Sequence, residues 1–211
     1  EFCNELNNWV DLPNVLKFWP KHDPTLPHRI PQESDRLSSR DLHDATAAFA
    51  SIVRKHGKKP VCMGSNAPRT NAWHLARGSW DKDDRAQFIS QFRAITPATC
   101  EVLCMHLYPD NFGGLDSIFL NATELISAFC DAALIDNSIS FIGEFGVASL
   151  PDKVKEHELF DNLLDAIVSS QVDYAALWDY DHRLKDDWNI TTTNDRAYQL
   201  QAVVDANKIL K

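Results

Sequence analysis

Apolar positions along this chain fall into two alternating textures, short dense runs and longer stretches in which apolar residues recur every three or four positions. The dense runs, Phe2-Asn4, Pro60-Gly64, Glu101-His106, Ile139-Gly143 and Val172-Trp178, read as strands. The periodic stretches, Asp41-His56, Asp83-Ile95, Ala122-Ile135, Glu156-Ser170 and Asp195-Leu210, read as amphipathic helices. Ser38 or Ser39 and Asn194 supply N-caps, and Gly57 closes the first long helix. Strand and helix alternate strictly, the pattern of a parallel sheet with helical crossovers. No repeat, low-complexity tract or evident boundary interrupts it, so one domain over residues 1–211 is expected.

Two loops stand out. Pro20 to Pro31 holds four prolines and two histidines in a polar setting, and reads as an extended excursion after the first strand. Pro109 to Leu115, with Gly113-Gly114, follows the third strand. Loops at the carboxyl ends of parallel strands are where such folds build their sites.

With 211 residues, 44% of them hydrophobic and 10% aromatic, the chain can bury one sizeable core. Its net charge of −9 argues against a nucleic-acid partner, which needs clustered Lys and Arg. An uncharged polar substrate is compatible. No apolar run reaches the length of a membrane span. Cys3, Cys62, Cys100, Cys104 and Cys130 form no CxxC pair and no regular spacing with His, so they read as small core-filling thiols rather than zinc ligands or a disulfide framework.

One residue resists a packing role. Glu144 closes the apolar run Ser138-Ile-Ser-Phe-Ile-Gly-Glu, where an ionised side chain is costly without a partner or a task. Glu5, after Asn4, closes another strand-like segment. A strict period of two puts Cys104, His106 and Tyr108 on one face of their strand, Ser140, Ile142 and Glu144 on one face of theirs, and Tyr174, Ala176 and Trp178 in phase in the last. Polar and aromatic members collect at the carboxyl ends, which favours a site over packing. Two glutamates at strand ends, far apart in sequence, suggest glycosidic-bond chemistry.

On Asn4-Glu5, His106-Leu-Tyr108, Gly143-Glu-Phe-Gly146 and Leu177-Trp178, in that order, the chain resembles clan A glycoside hydrolases, most closely the cellulase-like family 5. The resemblance implies a TIM-barrel fold of (β/α)8 type, of which this chain carries the later part, strands four to eight, about five β/α units. A whole barrel takes about 250 residues, so strands one to three and the native amino terminus are expected upstream of Glu1. An open first strand would then invite self-association through the barrel edge.

The resemblance further implies a retaining β-glycosidase, cellulase- or mannanase-like, acting on an oligo- or polysaccharide without metal or cofactor. Glu144 would be the nucleophile and Glu5 the acid and base, their carboxyl groups roughly 5 Å apart. Tyr108 would orient Glu144, and Asn4 would bind the sugar 2-hydroxyl. His106 would bond near the acid or the sugar, and Trp178 would offer its ring to a pyranose face. Trp9, Trp19 and Trp73 are candidates for outer subsites, and Ser65, Asn66 and Arg69 for polar contacts to substrate. Asp179 and Asp181 read as solvated loop residues. The sequons Asn121-Ala-Thr123 and Asn189-Ile-Thr191 permit glycosylation in a secreted protein, and the resemblance favours an extracellular location. The alternative is a truncated, non-catalytic carbohydrate-binding or structural half barrel.

Overall fold

A computed structural model describes residues 1–13, 32–182 and 187–210 of the chain. The proline-rich loop from Pro20 to Pro31 and Trp19 lie outside these described residues. The backbone divides into two units, Glu1–Glu101 and Val102–Lys211, each with its own internal packing. No described helix is long and apolar enough to cross a membrane.

The first unit carries α1 (Ser39–His56), the single-turn α2 (Ala72–Leu75) and α3 (Arg85–Ile95). α1 starts where its sequence supplies a reciprocal cap: Ser38 Oγ accepts from the Asp41 N–H at 3.1 Å, and the Asp41 carboxylate accepts from the Ser38 N–H at 2.9 Å. Gly57 ends the helix in an extended conformation, φ 179°, with its N–H on the Val53 carbonyl. Asp84 and Gln87 cap α3 in the same reciprocal way. Val10, Leu42, Met63 and Ile95 form one buried cluster, with Phe2, Cys3, Leu6 and Leu37 packed against it, and Ala50, Val61 and Cys100 form another.

The expected strands Phe2-Asn4 and Pro60-Gly64 do not form a regular ladder. They run side by side in the same direction, the N–H groups of Phe2, Cys3 and Glu5 donating to the carbonyls of Cys62, Met63 and Gly64 at 3.0, 3.1 and 2.8 Å. Consecutive residues Phe2 and Cys3 both donate to one neighbour, which alternating strand geometry does not allow. Glu5 then takes a left-handed conformation, φ 54°, and starts a 3-10 turn, Leu6–Trp9. The carboxylate expected at a strand end therefore stands at a helical-turn start.

The second unit holds β1 (Val102–Leu107), β2 (Ile139–Phe145) and β3 (Tyr174–Leu177), with α4 (Ala122–Asp136), α5 (Lys153–Val168) and α6 (Ala197–Ile209). The strands form a parallel sheet in the order β1-β2-β3, with α4 and α5 as crossovers. Leu103, Met105, Leu107, Ile142 and Phe145 are buried on the sheet, as are Phe129 on α4 and Phe160 and Leu163 on α5. The Phe145 and Phe160 rings stack with centroids 6.3 Å apart. Full burial of each such side chain stabilises the unit by about 1.5–3 kcal/mol. β3 is shorter than the expected Val172-Trp178 because Asp173 is drawn into a side-chain bond, its carboxylate accepting from Ser140 N–H and Oγ at 2.8 and 2.7 Å.

The ladder between β1 and β2 contains one irregularity. Met105 pairs with Ile142, but the next pair is His106 with Glu144, leaving Gly143 as an extra residue in β2. This bulge resets the side-chain phase. Glu144 does not share the face of Ser140 and Ile142; it joins Phe141, and with it His106. The expected phase was wrong by the one residue the bulge inserts.

Candidate active site

In the second unit, Glu144, His106 and Tyr108 meet at the carboxyl ends of β1 and β2. The Tyr108 hydroxyl donates to Glu144 Oε2 at 2.5 Å, and His106 Nδ1 lies 3.3 Å from the same oxygen. The His106 side chain is fully buried, whereas that of Glu144 keeps 12% of its surface exposed. A carboxylate that accepts from a phenol and adjoins an imidazole nitrogen, yet is reachable by solvent, is oriented without being sealed off. His106 thus stands beside Glu144.

The glycines around Glu144 are explained by what approaches them. A Cβ on Gly143 would lie 2.6 Å from Cys104 Sγ and 3.2 Å from the His106 ring. A Cβ on Gly146 would lie 2.6 Å from the Trp178 carbonyl oxygen. Trp178 is half-buried, follows β3 with its N–H on the Phe145 carbonyl at 2.8 Å, and precedes Asp179 through a cis peptide bond. The phase of β3 runs unbroken from Tyr174 to Leu177, so Trp178 continues the face that holds Glu144.

Sequence reasoning passed over Trp188. Its ring meets that of Tyr108 edge-on, centroids 5.2 Å apart. Nothing in its local sequence marks it, because it lies in a turn far from β1. Asp179, expected to be solvated, is buried; its carboxylate oxygens have no hydrogen bond among the described residues, and His182 Nδ1 stands 3.8 Å away. Asp181 is exposed as expected.

In the first unit, Asn4 is exposed and Glu5 half-buried. Trp9 presents 41% of its surface to solvent. Asn66 is tied to the buried Asn7, whose amide donates to the Asn66 carbonyl at 2.9 Å and whose Oδ1 accepts from the Asn66 N–H at 3.0 Å. Asn66 Oδ1 also accepts from the Ala67 N–H at 2.8 Å. Arg69 Nε donates to the Asn8 carbonyl at 3.0 Å, fixing the turn that carries Trp9. Trp73 is half-buried, with one ring face covered by the Arg77 guanidinium, 3.7 Å from its centroid, and the His74 ring edge-on at 4.9 Å. None of the five cysteines forms a disulfide, and Cys62, Cys100 and Cys104 are buried, the packing role expected of them. Burial pushes the Cys100 thiol up to about 11.

The fold is that of a partial (β/α)8 barrel. Among solved structures, the endo-1,4-β-mannanase from Rhizomucor miehei superposes with a TM-score of 0.57 at 12% identity, over 84% of this chain and 50% of its own. Two structures of the endo-β-1,4-mannanase from Thermotoga petrophila give TM-scores of 0.54 and 0.53 at 13% and 14% identity, over 81% and 80% of this chain and 40% and 52% of theirs. The chain therefore spans about half the length of the structures it matches. No protein-family model and no curated protein matches the sequence.

Proposed function

We propose that this chain is the carboxyl-terminal portion of a retaining β-glycoside hydrolase, with β-1,4-linked mannan as the first substrate to test. The observation that carries the reading is the Tyr108-Glu144 hydrogen bond beside buried His106, at the carboxyl ends of parallel strands. A nucleophilic carboxylate must stay ionised and aimed, and a phenol donating to one oxygen leaves the other to attack. Glu144 attacks the anomeric carbon, and Glu5 protonates the departing oxygen. Glu5 then takes a proton from the water that releases the glycosyl ester. Asn4 holds the 2-hydroxyl, Trp178 takes the pyranose face, and Trp9 and Asn66 serve outer positions. The substrate preference is supported by the mannanase neighbours and replaces cellulose as the first choice.

The test uses the longest natural chain containing these residues. A 2-deoxy-2-fluoro-β-mannosyl fluoride should leave a glycosyl adduct on the peptide carrying Glu144, and Glu144→Gln should abolish hydrolysis while sparing sugar binding by calorimetry. Retained hydrolysis in Glu144→Gln would sink the assignment. Binding without any turnover in the unsubstituted chain would favour the non-catalytic half barrel instead. Azide should rescue Glu5→Ala with formation of a β-glycosyl azide.

A further inference from the structure

Two residues with no assigned role, Trp188 and Arg196, form a continuous path of contacts to Glu144. The Trp188 ring packs edge-on against Tyr108, with an interplanar angle of 79°. Its Cζ3 would lie 3.7 Å from a Cβ on Gly146, so the indole occupies the space that glycine leaves. Trp188 is held through its neighbour: the Asp187 carbonyl accepts from the Ser149 N–H at 2.6 Å and also from Arg196 Nη1. Arg196 is 1% exposed, and its Nη2 donates to the Val147 carbonyl and to Gln199 Oε1, the latter at 3.4 Å. A buried guanidinium is costly to desolvate, and its rigid fork here ties the segment after β2 to the turn carrying Trp188.

Tyr108 needs such support. Its N–H donates to Asn111 Oδ1 at 2.7 Å, which anchors the backbone at the base of the side chain, while the Trp188 edge borders the ring. A 2.5 Å hydrogen bond does not survive a swing of an ångström at the hydroxyl. We propose that Trp188 is a positioning residue, clamped by Arg196 through the Asp187 backbone, that holds the Tyr108 ring at the angle where its hydroxyl meets Glu144. The consequence for rate rests on Glu144 being the nucleophile; the geometric statement does not.

The test reads the Glu144 carboxyl directly, by carbon NMR of the full chain labelled at glutamate Cδ, with the resonance assigned by its loss in Glu144→Gln. Tyr108→Phe should shift that resonance. Trp188→Ala should shift it in the same direction by at least about half as much, and add nothing in the Tyr108→Phe background. Trp188→Phe, which keeps an aromatic edge, should leave it near its original position. Should Trp188→Ala fail to fold, Arg196→Lys, which keeps the charge and loses the fork, should move it likewise. A resonance that stays in place in these variants while Tyr108→Phe moves it overturns the proposal. So does additive movement in the double variant, and so does a Tyr108→Phe variant that moves nothing. Absence of hydrolysis would count against the functional reading alone and would leave this resonance unaffected.

Discussion

The Tyr108 hydroxyl donates to Glu144 Oε2 at 2.5 Å, with His106 Nδ1 3.3 Å from that same oxygen. Two groups converging on one carboxylate oxygen, the Tyr108 donor among them, orient the other oxygen. Tyr108→Phe removes one of them without disturbing the ring. In the parental enzyme it should lower kcat about 10–100-fold with KM within about threefold, the loss expected of a hydrogen bond to a charged group. Steady-state kinetics on an aryl β-mannoside would read this. A change confined to KM would mean that Tyr108 binds sugar and does not aim Glu144.

Gly143→Ala tests the bulge. The added methyl would stand 2.6 Å from Cys104 Sγ and 3.2 Å from the His106 ring, both on buried residues of β1. Overpacking of this kind costs about 1–3 kcal/mol, measurable as a lower urea midpoint. Adding Cys104→Ala should recover part of it. An undiminished midpoint in Gly143→Ala would argue against the close approach.

Asp173 offers a pH-dependent readout. The Ser140 hydroxyl and then the Ser140 N–H hold its carboxyl below the usual carboxylate range. A carboxyl depressed in the folded state adds stability above its unfolded value, and that stability is lost as pH falls through the folded value. Ser140→Ala should therefore lower Tm at pH 7, and the gap should narrow in acid. It should not close, because Ser140 Oγ also accepts from the Asp173 N–H at 2.9 Å, a bond indifferent to pH. A gap that is constant from pH 7 to pH 3 would contradict this.

The two sequons occupy different settings. Asn121 is exposed at the start of α4, its Oδ1 accepting from the Glu124 N–H at 3.0 Å, which turns its amide nitrogen outward. Asn189 is half-buried, with Oδ1 engaged by the His182 N–H at 2.9 Å. Secretion through a eukaryotic host should attach one glycan, absent in Asn121→Gln and retained in Asn189→Gln. Glycosidase-sensitive mass shifts would show the reverse pattern if the settings were misassigned.

All five expected helices are present, with ends within a few residues of their sequence limits, because period and caps are local properties. Ser38 and Asp41 spell the start of α1 in four letters. The departures come from long-range pairing. Glu5 donates its N–H to the Gly64 carbonyl, some sixty residues away, and turns into the left-handed region there, and no neighbour in sequence records that contact. Asp179 is buried where its carbonyl accepts from the Ile190 N–H at 3.0 Å, and Trp188 reaches Tyr108 across eighty positions. Gly143 is the exception: a glycine inside a strand pattern is a recognised sign of a bulge, so the true face of Glu144 was open to inference.

That bulge makes the facing of Glu144 a matter of register. Taking Gly143 into a regular ladder opposite His106 would keep every side chain of the strand, yet would hand the carboxylate to the opposite side of the sheet, among Met105, Leu107 and Ile142. Substitutions tune such a group in small steps. A one-residue slip of the pairing would remove it from its partners altogether, whereas loss of Gly143 itself would leave it on the His106 face, so the bulge guards the carboxylate through register and not through bulk.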